Sequence, residues 1–264
     1  MDVKNLMPIS TEQIMGFDPI SGDLVFILDE LQNAEISQNQ DVQDVTGKMG
    51  RRIGSVKKNK TAAISATNGL VSGGLMEVQI GSEFEDGTHA ITWTDTLAVN
   101  SNAAALNYIA VGTAGSEILS LRIRNNDGSL GKKFEQAAEV AEGKFTYTAS
   151  GKALAFNEGD IEDGSEVVVV YQRKVASSRI SDESDTYSGK LHLVVDQLAE
   201  DKCANVYRVQ YDFPLADVSG EFSIAVGDSQ TVHNFQANAL AGGCSQGNQF
   251  FTYTVFGADE ADAT

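Results

Sequence analysis

Apolar and polar positions alternate with a period of two along much of the chain, the signature of strands with one covered face. Residues 90–97 alternate, as do residues 117–124, which run into the strong turn signal Asn125-Asn126-Asp127-Gly128. Residues 144–148 and 153–156 predict two strands paired across Ser150-Gly151, and Asp163-Gly164 precedes the apolar run 166–171. Further strands are predicted at 190–195, 206–213, 222–226, 231–238 and 250–256. Turn formers separate these runs at intervals of roughly 8–20 residues, which predicts a mainly β fold: an antiparallel β-sandwich or partial barrel.

The first eighty residues are less regular. The dense turn signal Gly16-Phe17-Asp18-Pro19-Ile20-Ser21-Gly22-Asp23 precedes Leu24-Val25-Phe26-Ile27-Leu28, a compact apolar run that predicts a buried strand. Residues 33–43 are polar and rich in Asn and Gln, which predicts a loop or arm. Residues 61–66 alternate as a half-buried strand would. Thr67 or Asn68 then caps a predicted helix over residues 69–80, ended by Gly81, with Leu70, Leu75, Met76 and Val78 as its buried stripe. Gly69, Gly73 and Gly74 each weaken helicity by up to ~1 kcal/mol, so their presence there implies close packing against a sheet. The expected organisation is one β body over residues 1–264. It has an N-terminal strand and arm in 1–43, a basic loop and strand in 45–66, and an acidic tail in 257–264.

Composition sharpens this picture. Among 264 residues there are 25 Gly and only 3 Pro, so turns are plentiful and long segments are free to donate ladder hydrogen bonds. With 42% hydrophobic and 21% charged residues the chain can bury a core. No uninterrupted apolar stretch has the ~18–20 residues of a membrane helix, and Met1-Asp2-Val3-Lys4-Asn5 does not begin a secretory signal. The formal charge is 19 − 37 = −18. Generic nucleic-acid binding is disfavoured at a pI of 4.4, because phosphate affinity rests on clustered Lys and Arg.

The charge is unevenly spread. From residue 45 to residue 76 there is no acidic side chain, while Lys48, Arg51, Arg52, Lys57, Lys58 and Lys60 lie there. That segment is +6, and the remainder is 13 − 37 = −24. A solvated basic loop is one reading. A nucleic-acid patch is a second, disfavoured by the absence of stacking aromatics and the repulsive surrounding charge. Contact with an acidic face of a neighbouring copy is the third, since opposite patches on one surface suit head-to-tail association. These six side chains are the candidate inter-subunit contacts.

Candidate chemistry is sparse. His89, His192 and His233 are far apart and make no ligand spacing with Cys203 or Cys244. Both cysteines are expected to be reduced, small and buried, with a disulfide as the alternative. There is no Gly-x-Ser-x-Gly elbow, and Gly69-Leu70-Val71-Ser72-Gly73-Gly74 lacks the lysine of a phosphate cradle. The acidic run Glu158, Asp160, Glu162, Asp163 and Glu166 lacks the order of a calcium loop and is expected to be a charged turn. Asp182, Glu183 and Asp185 are expected at a solvated loop tip. No enzyme, cofactor or metal site is expected, and the combination suits a self-assembling structural protein.

Several segments carry a more specific likeness. Asp44-Val45-Thr46-Gly47-Lys48-Met49-Gly50-Arg51-Arg52 and residues 57–75 are the first of them. Asp163-Gly164-Ser165-Glu166-Val167-Val168-Val169-Val170-Tyr171, residues 213–222 and 236–243, and Phe251-Thr252-Tyr253-Thr254-Val255-Phe256 complete the set. Together they resemble the tail tube (major tail) proteins of long-tailed bacteriophages. That resemblance implies a β-sandwich flanked by one helix, here residues 69–80, assembled into hexameric rings that stack into a tube. Inner strands of six copies would close a barrel around a DNA-conducting lumen, and loops or arms would bridge successive rings. It implies as partners the tape measure, terminator and distal tail proteins, and a sheath where the tail contracts. DNA would pass without specific binding, no membrane would be engaged, and assembly would take place in the host cytoplasm. A phage head protein (capsid or decoration) and a carbohydrate-binding β-sandwich with an aromatic platform remain the alternatives at this point. For Trp93 itself the expectation is a place in the core.

Overall fold

The computed structural model describes residues 5–224, 232–241 and 247–257. It is mainly β, with antiparallel sheets, one of them curled into a half-barrel, and a single α-helix among the described residues. The chain divides into two compact units, residues 1–84 with 180–264, and residues 85–179.

The first unit holds an eight-stranded sheet: β1 (Met7–Phe17), β2 (Leu24–Leu28), β3 (Leu31–Thr46), β4 (Arg52–Asn68), β12 (Lys190–Glu200), β13 (Val206–Val218), β14 (His233–Ala239) and β15 (Thr252–Gly257). The strand order is β2-β1-β12-β13-β14-β4-β3. One edge of β13 is long enough to hold β15 along Tyr207–Asp212 and β14 along Ala216–Val218. Pro214 falls in the gap between them, where β13 also bulges against β12. A residue without an N–H is tolerated there because the ladder is already interrupted. Residues spaced by two point inward and make one core, including Ile14, Ile64, Leu193, Val195, Phe213 and Phe235.

The helix α1 (Gly73–Ile80) closes this core through Leu75. It is shorter than the predicted 69–80 and its cap is Ser72, whose Oγ accepts from Leu75 N–H at 3.3 Å. Thr67 and Asn68 are instead the last residues of β4, paired with β14 and β3. Pairing on both edges costs the chain its earlier helix start, and it leaves Leu70 exposed outside the stripe. Met76 and Val78 are half-buried, and the fully covered residues are Leu75, Gln79 and Ile80. An eight-residue helix is marginal by itself. Its anchor is His233 of β14, buried to 0% exposure. The imidazole Nδ1 accepts from Ser72 N–H at 3.3 Å, so Nε2 carries the proton and donates to Gln79 Oε1 at 2.7 Å. Gln79 in turn donates to the Asn234 carbonyl at 2.9 Å. Burial holds the imidazole below its ordinary pKa of 6.5, in the neutral form this network requires.

The second unit has β5 (Glu85–Ala98), β6 (Ala103–Ala105), β7 (Ile118–Arg124), β8 (Leu130–Gln136), β9 (Lys144–Thr148), β10 (Ala153–Phe156) and β11 (Glu166–Arg179). The order is β5-β11-β7-β8-β9-β10-β6, antiparallel except for a short parallel contact between β8 and β9. Arg179 pairs with Glu85, so the chain enters and leaves this unit at adjacent strand ends. Its core includes Leu121, Phe134, Phe145, Leu154, Val167 and Val169. Inside sits one carboxylate, Asp95, at 3% exposure. Burial pushes its pKa upward, but hydrogen bonds from Asn107 N–H (2.9 Å), Asn107 Nδ2 (2.7 Å), Tyr171 OH (2.8 Å) and Trp93 Nε1 (3.1 Å) outweigh it, and the net shift is down. The same burial and the Asp95 hydrogen bond raise the Tyr171 phenol well above its ordinary value.

The structure bears out strands at 24–28, 144–148 and 153–156, with the last two paired as expected. Residues 33–43, expected as a loop or arm, are part of β3, and most of the expected basic loop is β4. Of residues 222–226, Phe222 to Ile224 are described and form only an isolated bridge, Ile224 with His233. Ala225 and Val226 lie outside the described residues, as does Cys244 and all of the acidic end beyond Gly257. Cys203 is a free thiol but exposed, contrary to expectation. It sits in the tight turn over residues 201–205, where Asp201 Oδ1 accepts from its N–H at 2.7 Å, and a turn tip cannot bury its side chains.

Gly74→Ala tests the fit of α1. Intrinsic propensity favours Ala by about 1 kcal/mol, yet the added Cβ would stand 2.4 Å from the Val25 carbonyl oxygen. The clash should win, with a net loss of about 1–3 kcal/mol in urea unfolding. His233 sets a pH dependence. The unfolded chain takes up a proton at about 6.5 while the native imidazole resists it. Its contribution is therefore complete above that pH and is lost as pH falls below it. His233→Asn should be less stable than the parent at pH 7.5, and the gap should narrow toward pH 5.

Candidate functional site: a protruding basic ribbon

The six basic side chains come together on one feature. Lys48 lies in the short 3-10 turn Lys48–Gly50, Arg51 follows it, and Arg52, Lys57, Lys58 and Lys60 lie on β4. β3 and β4 pair antiparallel along their whole length, from Leu31 opposite Asn68 to Thr46 opposite Arg52. The root of this hairpin belongs to the core, with Ala62, Ile64, Ala66 and Asn68 buried in alternation. Beyond Thr61 every residue of β4 is exposed, as is β3 from Gln38 onward. That part is a two-stranded ribbon with solvent on both faces.

Residues directly opposite share a face. One face therefore carries Val42 with Lys57 and Asp44 with Ser55, and the other carries Asp41 with Lys58 and Gln43 with Val56. Both faces mix apolar and charged groups, so neither shows the one-sided alternation of a strand packed on its own core. The pairing shifts register at three places, and at two of them Asn33 (φ 52°) in β3 and Asn59 (φ 52°) in β4 adopt the left-handed conformation that Asn tolerates best among residues with a Cβ. Apolar groups remain open along the ribbon, with Met49 at 96% and Ile53 at 64% exposure.

Its charges are only partly paired. Arg52 meets Asp44 at 2.9 Å, Lys58 Nζ donates to Gln43 Oε1 at 2.7 Å, and Lys60 Nζ stands 5.9 Å from the centre of the Phe250 ring. Lys48, Arg51 and Lys57 make no ion pair among the described residues.

A second surface faces away from the core on β1, β12, β13 and β15. Gln13 Nε2 and Gln210 Nε2 donate to the two oxygens of Asp196 at 2.9 and 3.0 Å, and Thr254 continues the row. In the next row, Asp212 is bonded to His192 at 2.7 Å. No sequence signal pointed to this row, because its members come from four strands and meet only through register.

The remaining candidates stay apart. His89, His192 and His233 lie on β5, β12 and β14. Among the described residues no three His, Cys, Asp or Glu side chains are grouped to hold a metal ion. Asp160 is tied to Lys132 and Gly143 N–H, both at 2.8 Å, within a turn, and Asp182, Glu183 and Asp185 are exposed. No helix among the described residues is long and apolar enough to cross a membrane.

The described residues form a β-rich body with a solvent-exposed basic ribbon. The family model described as the YomU/Tube protein family matches residues 9–253, and the chain belongs to that family. Membership fits the likeness to phage tail tube proteins and points to a structural component of the virion. Comparison with the curated proteins gives no match.

Because the ribbon's charges are solvated, reversing them should leave the subunit intact. Lys57→Glu with Lys58→Glu should change unfolding free energy by no more than about 0.5–1 kcal/mol. Thermal melts of the parent and the double variant would show it.

Proposed function

We propose that this protein builds the shaft of a bacteriophage tail: copies close into rings, six to a ring, and the rings stack into a tube through which DNA leaves. The ribbon carries the proposal. An arm with apolar side chains on both faces and unpaired cations finds cover most simply on another copy of a chain that is −24 outside residues 45–76. Burying one such side chain against a neighbour is worth about 1.5–3 kcal/mol, and every copy in a polymer gains it. Lys48, Arg51, Arg52, Lys57, Lys58 and Lys60 are the proposed inter-subunit contacts, meeting an acidic face of the adjacent copy.

The sheet edges support the same reading. β2 and β3 end the sheet order of the first unit, and among the described residues neither is paired on its outer side. Closure of a ring removes such edges. The row Gln13, Asp196, Gln210 and Thr254 suits a lumen wall: its carboxylate repels phosphates and both of its amides are engaged by that carboxylate, so a duplex slides past without sticking. The tape measure, terminator and distal tail proteins would meet the ends and interior of such a tube.

Negative-stain electron microscopy of the purified chain should show hollow tubes or stacked rings, and a monodisperse monomer at all concentrations would overturn the proposal. Lys57→Glu with Lys58→Glu should shorten or abolish the tubes at about 0.1 M salt. The defect should shrink near 1 M, where the screening length falls from about 10 Å to about 3 Å. Full-length tubes from the double variant at low salt would remove these lysines from the contact.

A further inference from the structure

The second unit contains a cationic and aromatic arrangement that a tube wall does not call for. Arg173 on β11 sits in the corner made by two rings, its guanidinium carbon 4.2 Å from the centre of Trp93 and 3.7 Å from that of Tyr108. The rings meet edge to face at 5.6 Å. Beside them is an open concavity of about 530 Å³, lined by Asn107, Tyr108, Ile109, Lys152, Arg173 and Lys174, with Val111 at its edge.

Three features of this place point to a ligand. Three of its lining residues are cations and none is an acid, in a chain with 37 Asp and Glu against 19 Lys and Arg. Arg173 forms no ion pair among the described residues, and its Nε is buried with no hydrogen-bond partner. The nearby carboxylate, Asp95, does not compensate it, since its oxygens are engaged by Asn107, Tyr171 and Trp93. Finally, Tyr108 and Ile109 remain 42% and 54% exposed at the same concavity, so cations and apolar surface stand side by side.

We propose that this concavity binds an acidic saccharide, a sugar bearing a carboxylate or phosphate group. The anion would pair with Arg173 and Lys152, and the CH face of the pyranose would lie on Tyr108 and Ile109; Lys174 borders the concavity from the opposite face of β11. Contact with both rings holds the guanidinium in place before the ligand arrives, so little side-chain entropy is lost on binding. Lys152 is held in the same way, its Nζ donating to the Asn107 carbonyl at 2.8 Å. Expectation placed Trp93 in the core or, in the saccharide alternative, on an aromatic platform. It is half-buried, packed against the core on one side and against Arg173 on the other.

Trp93 is the chain's single Trp and reports on its own neighbour. The test is a fluorescence titration of the full chain at constant ionic strength with glucuronate, glucose 6-phosphate, inorganic phosphate and neutral glucose. Saturable change with glucuronate or glucose 6-phosphate, weakened about tenfold by Lys152→Gln, is the expected result. The stronger of the two identifies the anion. Lys152 closes a surface turn and pairs with no acid among the described residues, so this variant should retain the parent's circular dichroism, and Arg173→Met should abolish the response. Four results would overturn the assignment: no saturable change with either sugar, an equal response to neutral glucose, an undiminished response in Lys152→Gln, or tighter binding of inorganic phosphate than of both sugars. None depends on whether the chain forms tubes.

Discussion

A two-stranded ribbon that leaves its own core has two faces and nothing within its subunit to cover them. Past Thr61, β3 and β4 satisfy each other's backbone groups along one edge each, but their side chains and outer edges are left to solvent. That constraint orders the rest of the molecule. The hairpin's root has to be fixed, so it is built into the curled sheet through Ala62, Ile64 and Ala66. Its surface has to be soluble when alone yet favourable when covered, and mixing Val42, Ile53 and Val56 with lysine and arginine meets both demands. Charge opposite in sign to the rest of the chain then favours a neighbour of the same kind over random collapse.

Each unit holds one buried polar centre that fixes how its elements meet. In the first, His233 ties both ends of α1 to β14 through Ser72 and Gln79. In the second, Asp95 gathers β5, β11 and the segment after β6. Neither lies in an open cleft, and each is saturated by its partners. Their perturbed ionisation therefore follows from packing, and polar groups fully satisfied in a low-dielectric interior specify one arrangement against its slipped alternatives.

The Arg173 stack differs from both because its hydrogen-bonding capacity is left open. A guanidinium held against two rings is stable in place without an acid, which is how a cation can stay available in a chain so rich in carboxylates. The tube reading draws on the first unit and the saccharide reading on the second. They share a chain without sharing a residue.

Much of the architecture was legible in the amino-acid sequence, because the physics that makes it is local. A compact apolar run bounded by turn formers placed the strand at 24–28, pairing across Ser150-Gly151 placed those at 144–148 and 153–156, and the acid-free segment marked the ribbon's six cations before any contact was known. Glycines in α1 announced close packing, and Gly74 lies against Val25 and Phe26. Other features became visible only in three dimensions. β3 looked like a loop because a strand with neither face buried has no alternation to show. α1 began later than predicted because Thr67 and Asn68 are claimed by pairing with β14 and β3, strands distant from it in sequence or turned back upon it. The Gln13-Asp196-Gln210 row and the Arg173 stack unite residues dozens to nearly two hundred positions apart. Composition and local pattern determine which segments can form strands, but register between distant strands decides which side chains meet, and only the folded chain sets register.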